Sequence, residues 1–138
     1  MVRDIKEIET LRKEAFNIDE TKLDAGINSF YEKQIDDNKI LPIGGYVNDE
    51  LVAGIYISSA LNSLFIEQLF VKKEYRHNGY GKQIVKFVLD NKHIFEEFFK
   101  QEFDFSKAEI RNNDALKLVE NLGYSETNDI YGTFRKRI

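Results

Sequence analysis

The chain of 138 residues contains no cysteine, and this absence excludes disulfides, thiolate metal sites and any mechanism that parks a group on a protein thiol. Histidine is almost as scarce. Only His77 and His93 supply imidazole, and neither stands at ligand spacing from a second histidine or a carboxylate motif, so no metal site is expected. Long apolar runs are missing too: nothing approaches the roughly 18 uninterrupted residues needed to span a bilayer, and no membrane partner is expected. The first residues mix Arg3, Asp4, Lys6, Glu7 and Glu9 with apolar ones, which is not the apolar core of a secretory signal, so a cytoplasmic location is the default expectation. An excess of positive charge is also lacking. The net charge of -4 argues against nucleic acid as a partner, despite the basic Arg135-Lys136-Arg137, and is compatible with a cationic substrate.

Length and ordinary composition predict one domain over residues 1–138, with one active site. Ile5, Ile8, Leu11 and Ala15 recur at helical spacing, and Leu23, Ile27, Phe30 and Gln34 repeat it after a candidate cap at Asp19 or Thr21. Two strands follow, Ile40 to Val47 and Leu51 to Ile57, joined through the polar Asn48-Asp49-Glu50 as an antiparallel hairpin. Pro42, the only proline, marks the start of this sheet region. A third strand, Leu64 to Val71, comes after the turn at Asn62-Ser63, and a helix carrying Ile84, Val85, Val88 and Leu89 on one face runs to about Asn91. Between His93 and Phe105 the phenylalanines fit either a helical or an extended pattern. A short strand ending near Ile110 comes next, then a helix marked by Ala115, Leu116, Val119 and Leu122 and closed by Gly123, and closing strands from Tyr124 on.

Between the third strand and its helix lies Arg76-His77-Asn78-Gly79-Tyr80-Gly81-Lys82. Glycines there let the backbone approach a ligand, and the first amides of a helix, left without internal acceptors, favour an anion. A plain tight turn is the other reading of the same residues. The spacing is neither a nucleotide P-loop, since Gln83 follows Lys82, nor a dinucleotide fingerprint, which needs a third glycine.

Leu69 to Gly81 resembles the strand and pyrophosphate loop of the GNAT superfamily of acyl-CoA-dependent N-acetyltransferases, whose signature is Arg or Gln, two residues, Gly, one residue, then Gly or Ala. Asn112-Asn113-Asp114-Ala115 followed by Glu120-Asn121-Leu122-Gly123-Tyr124 resembles its Asn-x-x-Ala and closing Gly-Phe segment. The resemblance implies an α/β domain with a mixed, mostly antiparallel sheet splayed at a central parallel strand pair and helices on both faces. It implies acetyl-CoA as cosubstrate in the splay, here after Val71 and near Ile110. The strand Leu69, Phe70 and Val71 would hold the pantetheine arm through its backbone, and His77, Asn78, Gly79, Tyr80, Gly81 and Lys82 would meet the pyrophosphate. Arg76 would stand near the start of the loop and Asn112 near the thiol end. The implied partner is an amine-bearing acceptor, a small molecule or a protein amine, and the enzyme is expected as a monomer or homodimer.

Glu67 is the candidate general base. In an unbroken strand it shares a face with Phe65, Leu69 and Val71, a carboxylate among apolar groups whose pKa desolvation would raise; a bulge in the strand would flip that alternation. The tyrosine that serves the family as general acid, four residues after the Ala of Asn-x-x-Ala, is replaced by Val119. Its loss is tolerable: a thiol of pKa ~8.5 leaving unprotonated at pH 7 costs about 2 kcal/mol, whereas neutralising an amine of pKa ~10.4 costs about 4.6 kcal/mol. Tyr124 and Tyr131 are alternative proton donors or simply packing residues. Two other classes stay open: a noncatalytic acyl-CoA-binding or sensing module, and a partner-binding domain whose glycine turn is only a turn.

Overall fold

The computed structural model describes residues 5–16, 24–110, 112–129 and 131–138, with the backbone alone for 24–29. Helix α1 (Ile5–Ala15) buries Ile8 and Leu11, one turn apart on its inner face. Helix α2 (Asp24–Asp36) follows; the candidate caps Asp19 and Thr21 and the first stripe residue Leu23 lie outside the described residues. Strands β1 (Ile40–Val47) and β2 (Glu50–Ala60) form the expected hairpin. Its two connecting residues, Asn48 and Asp49, both have positive φ (49° and 65°), the left-handed pair that a type I′ turn requires and that Asn and Asp tolerate best. Pro42 sits within β1, the edge strand, where a missing ladder donor costs least.

Strand β3 (Ser63–Val71) leads through a single 3-10 turn, Lys73–Tyr75, to helix α3 (Tyr80–Asp90). The phenylalanine-rich segment resolves into helix α4 (Lys92–Phe99) and a short connection to β4 (Phe105–Glu109). Phe95 and Phe103 are core residues, whereas Phe98 remains partly exposed and stacks edge-on against Phe99 at 4.9 Å. Helix α5 (Asn113–Asn121) ends as expected at a left-handed Gly123 (φ 90°), and β5 (Ser125–Glu126) and β6 (Thr133–Arg137) complete the chain.

The six strands form one sheet in the order β1-β2-β3-β4-β6-β5, with β3 and β4 parallel and every other neighbour antiparallel. Helices cover both faces. On one, α1 and α2 bury Ile8, Leu11 and Ile35 against Ile40, Tyr56 and Phe70; on the other, α3, α4 and α5 bury Ile84, Val88, Phe95 and Val119 against Ile55, Ile57, Leu64 and Ile66.

Two details of β3 set up the site. Tyr56 pairs with Gln68 but Ile57 pairs with Ile66, so Glu67 is an extra residue, a bulge. Leu64 and Ile66 face the α3 side before it, and Leu69 and Val71 face the same side after it, while Phe70 turns to α1. The parallel pairing with β4 runs only from Ser63 and Phe105 to Ile66 and Ala108. The splay therefore opens at Ile66 and Ala108, earlier than the expected position after Val71 and near Ile110. The bulge accounts for this, because the extra residue bends and twists β3 away from its neighbour.

Candidate active site

The turn after β3 is built by its own backbone and by short side-chain braces. His77 (φ 64°) and Gly79 (φ 83°) both take left-handed conformations, and Asn78 Nδ2 donates to the carbonyls of Tyr75 and Arg76, each at 3.2 Å. Gln83 N–H closes the first turn of α3 on the Gly79 carbonyl at 3.0 Å, which leaves the amides of Tyr80, Gly81 and Lys82 without intrahelical acceptors at the positive end of the helix. The two glycines serve different needs. At Gly79 no atom lies within 4 Å of where a Cβ would stand, so the space beside the backbone is open. At Gly81 a Cβ would come within 3.1 Å of Leu118 and 3.7 Å of Leu69 and Val71, so this glycine lets α3 pack closely on α5 and β3.

Arg76 reaches back rather than into the turn. Its Nε donates to the Val71 carbonyl at 3.0 Å and its terminal nitrogen to the Ala15 carbonyl at 3.2 Å, tying the end of β3 to the C-terminal turn of α1, whose carbonyls lack helical donors. A second tie comes from the hairpin: Glu50 accepts from Lys72 Nζ at 3.1 Å and from Tyr75 Oη at 2.9 Å. The bond from Lys72, then that from Tyr75, holds the Glu50 carboxyl below its ordinary pKa, and the same contacts raise Lys72 and Tyr75. Tyr75 and Tyr80 pack edge-on at 6.0 Å.

Below the turn, the stretch of β3 from Glu67 to Val71 has β2 on one side and, among the described residues, no strand on the other. Leu69, Phe70 and Val71 thus lie along an open strand edge that ends at the amides of α3. At the mouth of the fork stands Glu67. It is exposed, not seated among Phe65, Leu69 and Val71, because the bulge breaks the alternation and puts Leu69 and Val71 on the α3 side with Leu64 and Ile66. Its carboxylate accepts from Ser58 Oγ at 2.7 Å and borders a cavity of about 410 Å³. Ser58 carries no local signal in the sequence; only the β2–β3 register brings it to Glu67.

Asn112 caps α5, its Oδ1 accepting from the Ala115 N–H at 2.8 Å, so the Asn-x-x-Ala segment is at once a helix start. Val119 is buried in the core between α5 and the sheet and offers no proton. Tyr124 is no better placed: it is buried, its hydroxyl bonded to Ser106 Oγ at 2.6 Å, and burial pushes its pKa up to about 12. Tyr131 is exposed, as are His77 and His93. Among the described residues no group of His, Asp or Glu has metal-binding geometry, and no helix is long and apolar enough to cross a membrane.

One polar cluster was not foreseen from the sequence. Arg12 is fully buried beneath the sheet, its Nε 3.0 Å from Glu9 Oε1 and its guanidinium 5.0 Å above the Tyr31 ring, and the Tyr56 hydroxyl donates to the same Glu9 oxygen. Tyr56 pairs across the strands with Gln68, the residue after the bulge, so the cluster fastens α1 under the fork.

The sequence model of the acetyltransferase (GNAT) family matches residues 4–124. No curated protein sequence matches the chain significantly. Among solved structures, the ribosomal-protein-S18-alanine N-acetyltransferase from Escherichia coli aligns with a TM-score of 0.53 at 20% identity, over 75% of this chain and 73% of that one. The PaiA N-acetyltransferase from Thermoplasma acidophilum, solved in complex with coenzyme A, aligns at 0.61 and 15%, over 99% and 81%. A spermidine N-acetyltransferase chimera from Vibrio cholerae aligns at 0.68 and 16%, over 99% and 93%. At these identities the likeness shows a shared fold.

Proposed function

The chain belongs to the acetyltransferase (GNAT) family, and on that premise we propose that it transfers an acetyl group from acetyl-CoA to a primary amine by direct attack. The observation that carries this reading is the continuity of three features: the fork opening at Ile66 and Ala108, the free edge of β3 beyond it, and the unpaired amides of Tyr80 to Lys82 at its far end. These suit the parts of the cosubstrate in order. A pantetheine arm carries amides that can complete a strand edge, and a pyrophosphate suits a helix N-terminus whose Gly79 leaves room beside the backbone. The cosubstrate supplies an activated acyl group, whose bond to sulfur breaks as the bond to nitrogen forms and coenzyme A leaves as the thiolate. Glu67, or a water held by it, takes the first proton from the acceptor ammonium so that the nitrogen can attack. A backbone amide of the Leu69 strand meets the developing oxyanion, and the second nitrogen proton returns through water to the departing sulfur.

Two measurements test the reading. Titration calorimetry should show coenzyme A binding, and thiol release from acetyl-CoA should depend on an added amine. Glu67→Gln should lower kcat/KM by about 10²-fold or more while leaving coenzyme A affinity unchanged, the effect expected on losing a general base. Val119 and the unavailable Tyr124 favour a second reading, an acyl-CoA-binding module without turnover. Binding with no thiol release over a broad amine panel would establish that one instead.

A further inference from the structure

The cavity beside Glu67 carries information about the acceptor, and the inference drawn from it rests on the acetyltransferase reading of the same site. Its volume of about 410 Å³ falls within the roughly 300–1,000 Å³ of small-molecule sites. Its lining is chemically divided. Among the described residues that line it, Glu67 contributes the one carboxylate, at the fork; Lys39, between α2 and β1, and Lys100, the residue closing α4, contribute two ammonium groups; Phe30 and Phe98 contribute partly exposed rings. Both lysines are exposed, and among the described residues neither has an ion-pair partner. The backbone of Lys100 is fixed, because its N–H bonds the Glu96 carbonyl in the left-handed conformation that ends α4.

We propose that the acceptor is a small amine that also bears an anionic group, a carboxylate or a phosphate, held by Lys39 and Lys100 while its nitrogen faces Glu67 and its apolar part lies against Phe30 and Phe98. Opposite charges then meet at both ends of the ligand. A polyamine is disfavoured, since its additional cations would enter a cavity already lined by two ammonium groups.

The test compares matched acceptors in the thiol-release assay: leucine against leucinamide, phosphoethanolamine against ethanolamine, and spermidine alone. The anionic member of at least one pair should show a kcat/KM about tenfold or more above its neutral partner and above spermidine, and the larger ratio identifies carboxylate or phosphate as the recognised group. The double substitution Lys39→Glu and Lys100→Glu should bring that ratio to about one or below, with the KM for acetyl-CoA unchanged. Neutral amines or spermidine acetylated as well as the anionic ones would overturn the inference and leave the acetyltransferase reading intact. Coenzyme A binding without acetylation of any amine would remove that reading, and the inference with it.

Discussion

Glu9 and Arg12 show how much one buried charge pair contributes to this fold. Arg12 is wholly removed from water and Glu9 nearly so, and the arginine lies against the rings of Tyr31 and Tyr56. Arg12→Ala leaves the Glu9 carboxylate buried opposite an empty space, which is expected to destabilise the protein by about 3–5 kcal/mol in urea unfolding. A loss under about 1 kcal/mol would mean that the guanidinium acts only as filling. Tyr124 makes a pH-dependent prediction. Its folded-state pKa of about 12 lies above the ~10 of an unfolded tyrosine, so below about pH 10 both states keep the proton and the contribution is whole. Between about pH 10 and 12 the unfolded chain releases the proton first, stability falls by about 2–3 kcal/mol, and above that window the contribution is gone. Tyr124→Phe should remove this alkaline step, at a constant cost of about 1 kcal/mol for the lost bond to Ser106. The urea midpoints of the two proteins, followed from neutral to alkaline pH, check it.

At the scale of elements, two glycines separate strain from crowding. Gly79→Ala puts a side chain into open space but at φ 83°, and is expected to cost about 1 kcal/mol. Gly54→Ala would set a Cβ 2.3 Å from the Phe70 ring, in a strand packed under α1, and should cost about 1–3 kcal/mol through displacement of that ring. Urea unfolding of both variants compares the two mechanisms. The elements themselves were mostly legible in the sequence. The stripe Ile8 and Leu11, the turn Asn48-Asp49 and the cap Gly123 each declare their structure within a few residues. Residues 93–105 did not, because closely spaced phenylalanines satisfy a period of two and a period near 3.6 alike. The bulge at Glu67 was legible only as a possibility. No glycine marks it, and it exists through the register of β2, a non-local property. From it follow the exposure of Glu67, its bond to Ser58 and the early parting of β3 from β4, so the part of the candidate site around the proposed base was the least readable. Arg12 is illegible for a related reason: in a charged helix nothing local distinguishes an arginine that faces inward.

For the whole molecule, side chains join what the sheet leaves apart. Arg76 links the end of β3 to α1, and Glu50 links the hairpin turn to the residues after β3, so the turn ahead of α3 is held from two sides. Sheet pairing between the two halves is much thinner. Strands β1, β2 and β3 are successive antiparallel neighbours, whereas β4 reaches β3 only after α3 and α4 have been laid down and pairs with it over four residues. This seam has a kinetic consequence. The three-stranded meander closes short loops and is expected to form in the folding transition state, while β4 with β6 docks after the barrier, because the long loop to β4 costs more entropy to close. Ile55→Val in β2 should then chiefly slow refolding, and Ala108→Gly in β4 should chiefly speed unfolding, in chevron measurements on the two variants. The opening proposed to receive the cosubstrate is, on this account, also the last joint that the folding chain closes.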